Sequence, residues 1–194
     1  MDNLLRPAAV LLGLFTVLTG LVYPAIVTAA AQGLFPTPAN GSFVVEGGRA
    51  VGSDLLGQAF DDPRYFWGRP SATSHHAYDA SASTGSNLGP TNPALRDAVA
   101  TRVAALRAAD PGNQAPVPID LVTTSASGLD PHVSPAAALF QVERVARARS
   151  LAPEQVRRLV LEHVEPPTLG VLGEARVNVL RLNLALDRLG GAGS

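Results

Sequence analysis

The stretch AAVLLGLFTVLTGLVYPAIVTAAA, residues 8–31, decides how this chain is organised. Its 24 residues carry no charge, and the uncharged run around it extends from just after Arg6 to just before Glu46. As an α-helix rising about 1.5 Å per residue it reaches about 36 Å, enough to cross a hydrocarbon core of about 30 Å with some tilt. The reading that follows is a transmembrane helix. A cleaved signal peptide is the rival, because Ala29-Ala30-Ala31 offers a small-residue cleavage site and Arg6 a minimal positive start. A signal needs only about 7–15 apolar residues, so the length of the run favours the uncleaved helix.

Arg6 and the terminal amine precede the span, and only Arg49 follows it within about twenty residues. This bias predicts an amino end in the cytoplasm and a carboxy-terminal part outside it, in the cell (inner) membrane, crossed once. Gly13, Thr16, Gly20, Pro24 and Thr28 recur at three- and four-residue steps, so on an unbroken helix they share a face where a partner helix approaches closely. Gly13, Thr16 and Gly20 are therefore candidate partner-binding positions; an Ala/Gly-biased anchor without a partner is the plainer reading. Tyr23-Pro24 allows a bend within the span.

Working outward, residues 1–33 form the membrane segment, 34–41 a short Pro-rich connector with Pro36 and Pro38, and 42–194 a compact extracytoplasmic α/β domain. In that domain, Phe43-Val44-Val45 and Ala50-Val51 flank Glu46-Gly47-Gly48-Arg49, which predicts a hairpin. Asp54 to Pro93 is loop-rich but carries Phe60, Tyr65, Phe66 and the only Trp, Trp67, which predicts order rather than disorder. Arg64, Trp67 and Arg69 are residue types that anchor interfaces, and are the candidate contacts outside the membrane; Trp67 as part of the core is the competing reading.

Asn92-Pro93 caps a helix to about Ala109, ended by Asp110-Pro111-Gly112. Ser134-Pro135 starts one to about Arg149, and Ala152-Pro153-Glu154 one to about His163, stopped by Glu165-Pro166-Pro167. Pro118 to Thr124 reads as a buried strand. Asn178 caps a last helix to Leu189, with a strand over 177–184 as the alternative.

The charges are balanced, 15 basic against 16 acidic residues, and every basic residue is Arg. A net charge of -1 gives no field to draw in nucleic acid. With no Cys, disulfides, thiolate metal sites and a Cys nucleophile are excluded. His75, His76, His132 and His163 have no ligand at a recognised metal spacing. A hydrolase using Asp130, His132 and a nearby Ser is the enzymatic alternative, but no G-x-S-x-G elbow occurs, and Asp130-Pro131-His132 reads as a turn. Ser83, Gly85, Ser86 and Asn87 lie in a Gly-containing loop that leads into a capped helix, the chain's one nucleotide-loop candidate. It lacks the phosphate-loop pattern and any Lys.

Several passages are more specific than this. Tyr65-Phe66-Trp67-Gly68-Arg69-Pro70-Ser71-Ala72, Gly85-Ser86-Asn87-Leu88-Gly89-Pro90-Thr91-Asn92-Pro93, and Ser127-Gly128-Leu129-Asp130-Pro131-His132-Val133-Ser134-Pro135 occur in that order. Gly170-Val171-Leu172-Gly173-Glu174 and Val177-Asn178-Val179-Leu180 follow, with Leu182-Asn183-Leu184-Ala185-Leu186-Asp187 after them. Together they resemble the C subunit of the Kdp potassium-transporting P-type ATPase, from the amino-terminal helix to near the end. Thr84 departs from the family, which usually has a second Gly there.

The resemblance implies a non-catalytic accessory subunit of an ATP-driven, high-affinity K+ import complex. Its implied partners are a channel-like K+-binding subunit, a P-type ATPase subunit and a very small stabilising subunit. The complex uses ATP and Mg and transports K+. For this chain the resemblance implies one membrane helix and an extracytoplasmic domain that stabilises the assembly, influences ion access or raises apparent nucleotide affinity.

Overall fold

Leu, Val and Ala at more than half of the positions from Leu5 to Leu34, and a single charge among the rest, leave this backbone only its own carbonyls to bond in an apolar medium, and it is helical. A computed structural model describes residues 4–191; the terminal amine and positions 192–194 lie outside the described residues. The helix consists of α1 (Leu5–Val17), a π-helical turn (Leu18–Val22) and α2 (Tyr23–Leu34). The π turn ends one residue short of Pro24, which brings no N–H: Tyr23 N–H bonds back five residues to the Leu18 carbonyl, and the Thr19 hydroxyl donates to the Phe15 carbonyl at 2.7 Å. This wider turn changes the helical phase. Gly13 and Thr16 precede it, Gly20 lies within it, and Pro24 and Thr28 follow on a rotated face. A four-residue helix, α3 (Pro36–Ala39), occupies the Pro-rich connector.

The chain divides into two compact units, Met1–Phe43 and Val44–Ser194. A hairpin of β1 (Phe43–Glu46) and β2 (Arg49–Ser53) begins at this boundary and is turned by Gly47 and Gly48, both at positive φ. α4 (Pro93–Ala109) starts where Asn92 accepts the Ala94 N–H at 3.0 Å. Next comes β3 (His132–Val133), and then α5 (Pro135–Phe140) and α6 (Val142–Arg149), where one unbroken helix was expected. The break falls at Gln141, whose N–H bonds three residues back to Ala138 and whose side chain is drawn away to another segment. α6 ends in a left-handed Ser150, and α7 (Pro153–Glu162) follows.

β4 (Val164–Glu165) and β5 (Arg176–Asn178) complete a three-stranded antiparallel sheet in the order β3-β5-β4, with Val133 and Val164 both opposite Val177. α8 (Val179–Gly191) closes the chain. The alternatives for 177–189 thus resolve into a short strand and then a helix: Asn178 ends the strand and accepts the Arg181 N–H at 3.1 Å as the helix cap. The fold is mixed helix and sheet, and the sheets are antiparallel.

The strand expected over Pro118 to Thr124 is not there. Ile119–Leu121 is a 3-10 turn. The Ile119 carbonyl accepts N–H groups from Val122 and Thr123 and the Thr123 hydroxyl, which curls the backbone that a strand would extend. Leu121 and Val122 are buried, as the apolar run suggested, but from a turn. The core collects Val142 and Val145 of α6, Val156 and Val160 of α7, Val177 of β5, and Leu182 and Leu186 of α8 around Phe66. Each such aliphatic side chain contributes about 1.5–3 kcal/mol relative to exposure.

Candidate functional site

The segment Pro63–Arg69 carries most of the candidate contacts, and two buried amides set its backbone. Asn183 of α8 accepts the Phe66 N–H at 2.8 Å and donates to its carbonyl at 3.0 Å. Gln141, at the α5–α6 break, does the same for Trp67 at 2.8 and 3.1 Å. Each side chain imitates the pairing of a neighbouring strand, so an irregular segment is held in the core with its polar groups satisfied.

Arg144, 4% exposed, completes this clasp. Its guanidinium donates to the carbonyls of Pro63 at 2.6 Å and Tyr65 at 3.1 Å and to Gln141 Oε1 at 2.6 Å, and lies 4.1 Å from the centre of the Trp67 ring. No carboxylate bridges it among the described residues, and burial pushes its pKa down to about 10. The clasp needs a planar five-donor cation that stays charged.

Among the expected contact residues, Arg64 is exposed and paired with Asp62 at 2.7 Å; the hydrogen bonds from Arg64 hold that carboxyl down at about 2. Trp67 is half-buried, with its ring N–H on the Asp62 carbonyl at 3.0 Å, and packs against the core. Arg69 reaches Asp130 at 3.3 Å and the Thr124 carbonyl at 3.1 Å. The structure therefore gathers Arg64 and Trp67 around Asp62 and turns Arg69 toward Asp130. Tyr78, unread in the sequence, donates to the Arg69 carbonyl at 2.5 Å, and burial raises its pKa to about 12.

Gly13, Thr16 and Gly20 are exposed on the apolar helix, and nothing lies within 4 Å of where a Cβ would stand on either glycine. The nucleotide-loop candidate lies against the segment Ser125–Gly128. The Ser83 hydroxyl and Thr84 N–H both donate to the Ser127 carbonyl at 3.0 Å, and a Cβ on Gly85 would stand 2.9 Å from the Ala126 carbonyl oxygen. Packing thus accounts for this glycine. Ser86 and Asn87 are exposed, Asn87 at positive φ.

His132 Nδ1 is 3.3 Å from Asp130, but the serines nearby are engaged elsewhere: Ser134 with Asp120 and the Ala137 N–H, Ser125 with Gly128 N–H, Ser127 with Leu129 N–H. A nucleophile must sit within reach of its base, and among the described residues no serine is hydrogen-bonded to His132. His75 and His76 both face Asp79, at 3.1 and 3.7 Å, and no group of three potential metal ligands converges among the described residues.

One helix, Leu5–Leu34, is long and apolar enough to cross a membrane, and a mixed helix and sheet domain follows it. Comparison with known proteins names the assembly. The family model described as "K+-transporting ATPase, c chain" matches residues 5–188. The chain is 65% identical over 187 residues to the potassium-transporting ATPase KdpC subunit of Variovorax paradoxus, covering 96% of this chain and 97% of that one. It is 66% identical over 183 residues to the KdpC subunit of Sorangium cellulosum, covering 94% and 96% of the two chains. The chain belongs to the KdpC family, the C chains of K+-transporting ATPases.

Proposed function

We propose that this chain works as the non-catalytic accessory subunit of an ATP-driven K+ import complex, stabilising the assembly and influencing ion access or apparent nucleotide affinity. The observation that carries the reading is a family match running from the apolar helix through α8 in one chain. In this reading residues 1–33 anchor the chain with its amino end in the cytoplasm, 34–41 connect, and 42–194 form an extracytoplasmic domain. The positive-inside bias supports that orientation. The partners are the channel-like K+-binding subunit, the P-type ATPase subunit and the small stabilising subunit. They use ATP and Mg and move K+, and this chain contributes binding surface: Gly13, Thr16 and Gly20 in the membrane, Arg64, Trp67 and Arg69 outside it. Ser83, Gly85, Ser86 and Asn87 are where a nucleotide contact is tested, by titrating MgATP against Trp67 fluorescence.

The deciding experiment is purification of the tagged full chain in mild detergent. The other three subunits accompany it, and deleting the chain abolishes K+-limited growth. If the chain purifies alone and hydrolyses an ester or amide in a way lost on His132→Ala, the reading fails in favour of the hydrolase. Protease added to intact spheroplasts digests the domain; digestion only after lysis reverses the orientation.

A further inference from the structure

Pro24 leaves one main-chain group of the apolar helix unanswered. In a helix the Thr19 carbonyl takes its N–H from four residues on, Tyr23, or from five, Pro24. Tyr23 N–H is spent on the Leu18 carbonyl, and Pro24 has none to give. No side chain supplies the bond among the described residues, and the Thr19 hydroxyl itself donates to Phe15 at 2.7 Å. Thr19 stands at the middle of the 30 residues Leu5–Leu34. Its carbonyl therefore lies about 20 Å from either end of the helix, where a bilayer holds no water. An acceptor left bare in hydrocarbon is costly, and any residue with an N–H at position 24 avoids that cost.

The surroundings select what answers it. Lipid tails bring no donor. A bound water needs two to four polar partners, and the neighbours in the turn, Leu18, Leu21 and Val22, are aliphatic. A second copy of this helix has one hydroxyl at the level of its own Thr19, and that hydroxyl is already bonded to Phe15. An ammonium or guanidinium is expensive to hold at the bilayer centre, whereas a hydroxyl or carboxamide is the usual polar contact between membrane helices. Access is open on the following residue: nothing lies within 4 Å of where a Cβ on Gly20 would stand, so another backbone can come close.

The structure assigns the Thr19 main-chain carbonyl as an acceptor for a partner: a membrane helix of another subunit passes beside Gly20 and donates to it from a hydroxyl or carboxamide side chain. This rests on the membrane and assembly readings above. It adds to close packing a single polar contact, and it gives Pro24 a purpose, since the proline keeps the acceptor free for the partner.

The test compares the full chain alone in lipid with the same chain in the assembled complex. Threonine labelled at its carbonyl carbon and glycine labelled at nitrogen together mark two peptides, Thr19-Gly20 and Thr84-Gly85, and Thr84→Ser removes the second from the spectrum. The Thr19 carbonyl resonance is that of a free amide in the lone chain and moves downfield on assembly. Pro24→Ala restores an N–H, lets the turn close as an α-helix and shifts the resonance with no other subunit present. That variant inserts as the wild type does but retains the other subunits about three- to tenfold less, the worth of one hydrogen bond between membrane helices. A resonance unchanged by assembly overturns the acceptor site and leaves the assembly reading standing. So does a resonance already shifted in the lone chain, where water or a second copy is the donor, and so does full retention by Pro24→Ala. If the wild-type chain retains no subunit at all, the assembly reading falls and the acceptor site with it.

Discussion

The helix Leu5–Leu34 and the segment Pro63–Arg69 are stabilised by opposite means. In the helix no residue is buried, and composition alone decides the structure: an apolar medium forces the backbone to bond to itself, and almost any mixture of Leu, Val and Ala serves. In the segment composition decides nothing. Its course depends on three side chains, Gln141, Arg144 and Asn183, each meeting particular backbone atoms at 2.6–3.1 Å. A substitution should therefore be tolerated in the first region in proportion to its polarity, and in the second only where it restores the same hydrogen bonds.

The sharpest break is Arg144→Ala. It takes their guanidinium donor from the carbonyls of Pro63 and Tyr65 and from Gln141 Oε1, and uncovers one face of Trp67. The expected loss is about 2–4 kcal/mol, roughly 10 °C in Tm, followed by fluorescence of the single Trp. Arg144→Lys should recover less than half, because an ammonium cannot span Pro63, Tyr65 and Gln141 at once. Full recovery by Lys would show that charge rather than fork geometry matters there. Asn183→Leu comes next: nearly the same volume, but Phe66 loses both backbone partners, at a cost of about 2–3 kcal/mol.

The same contrast separates what was legible in the sequence from what was not. Helix starts at Asn92-Pro93, Ser134-Pro135 and Ala152-Pro153, and the Gly47-Gly48 turn, are local devices whose partners lie within a few residues, and they occur where expected. The clasp was invisible because its halves are 117 residues apart for Asn183 with Phe66 and 74 for Gln141 with Trp67. An Asn or Gln inside an apolar pattern reads as an interruption until its partner is known. Pro118 to Thr124 failed for the converse reason: a short apolar run records burial but not whether the backbone is extended or curled.

A smaller effect is expected at Gly85→Ala. Its Cβ would meet the Ala126 carbonyl oxygen at 2.9 Å, so one of the two loops must shift, at about 1–2 kcal/mol. A Tm equal to wild type would mean that the loop moves aside without cost and that the glycine is there for something other than packing.

Acid should act on the domain more weakly still. Arg64 holds the Asp62 carboxyl at about 2, hydrogen bonds from Ser81 hold Asp79 down, and at Asp130 burial opposes ionisation but the bonds to His132 and the Arg69 charge outweigh it. The folded values lie below the unfolded value of 3.8, so protons bind the unfolded chain first. The stability these groups supply is complete above about pH 4 and is lost as pH falls toward 2. Tm at pH 3 should lie below that at pH 7, with the difference reduced by Asp130→Asn. A Tm independent of pH down to 2.5 would contradict it.

The smallest expected effect on folding is in the helix, and it tests the comparison from the other side. Gly13→Leu with Gly20→Leu adds only apolar surface, and nothing lies within 4 Å of either new Cβ, so insertion and the domain's Tm should both be unchanged. Lipid tails are as apolar as leucine, so burial alone gives a partner helix no reason to choose this one, and close approach through small residues must supply the choice. The pair of leucines should therefore leave a folded, membrane-inserted chain that retains the other subunits poorly. The π turn sharpens this further. Gly13 lies before it and Gly20 within it, so if one partner helix packs along α1, Gly13→Leu alone should carry most of the loss. If the single and the double variant both co-purify as the wild type does, the helix is an anchor only, and assembly must reside in the domain.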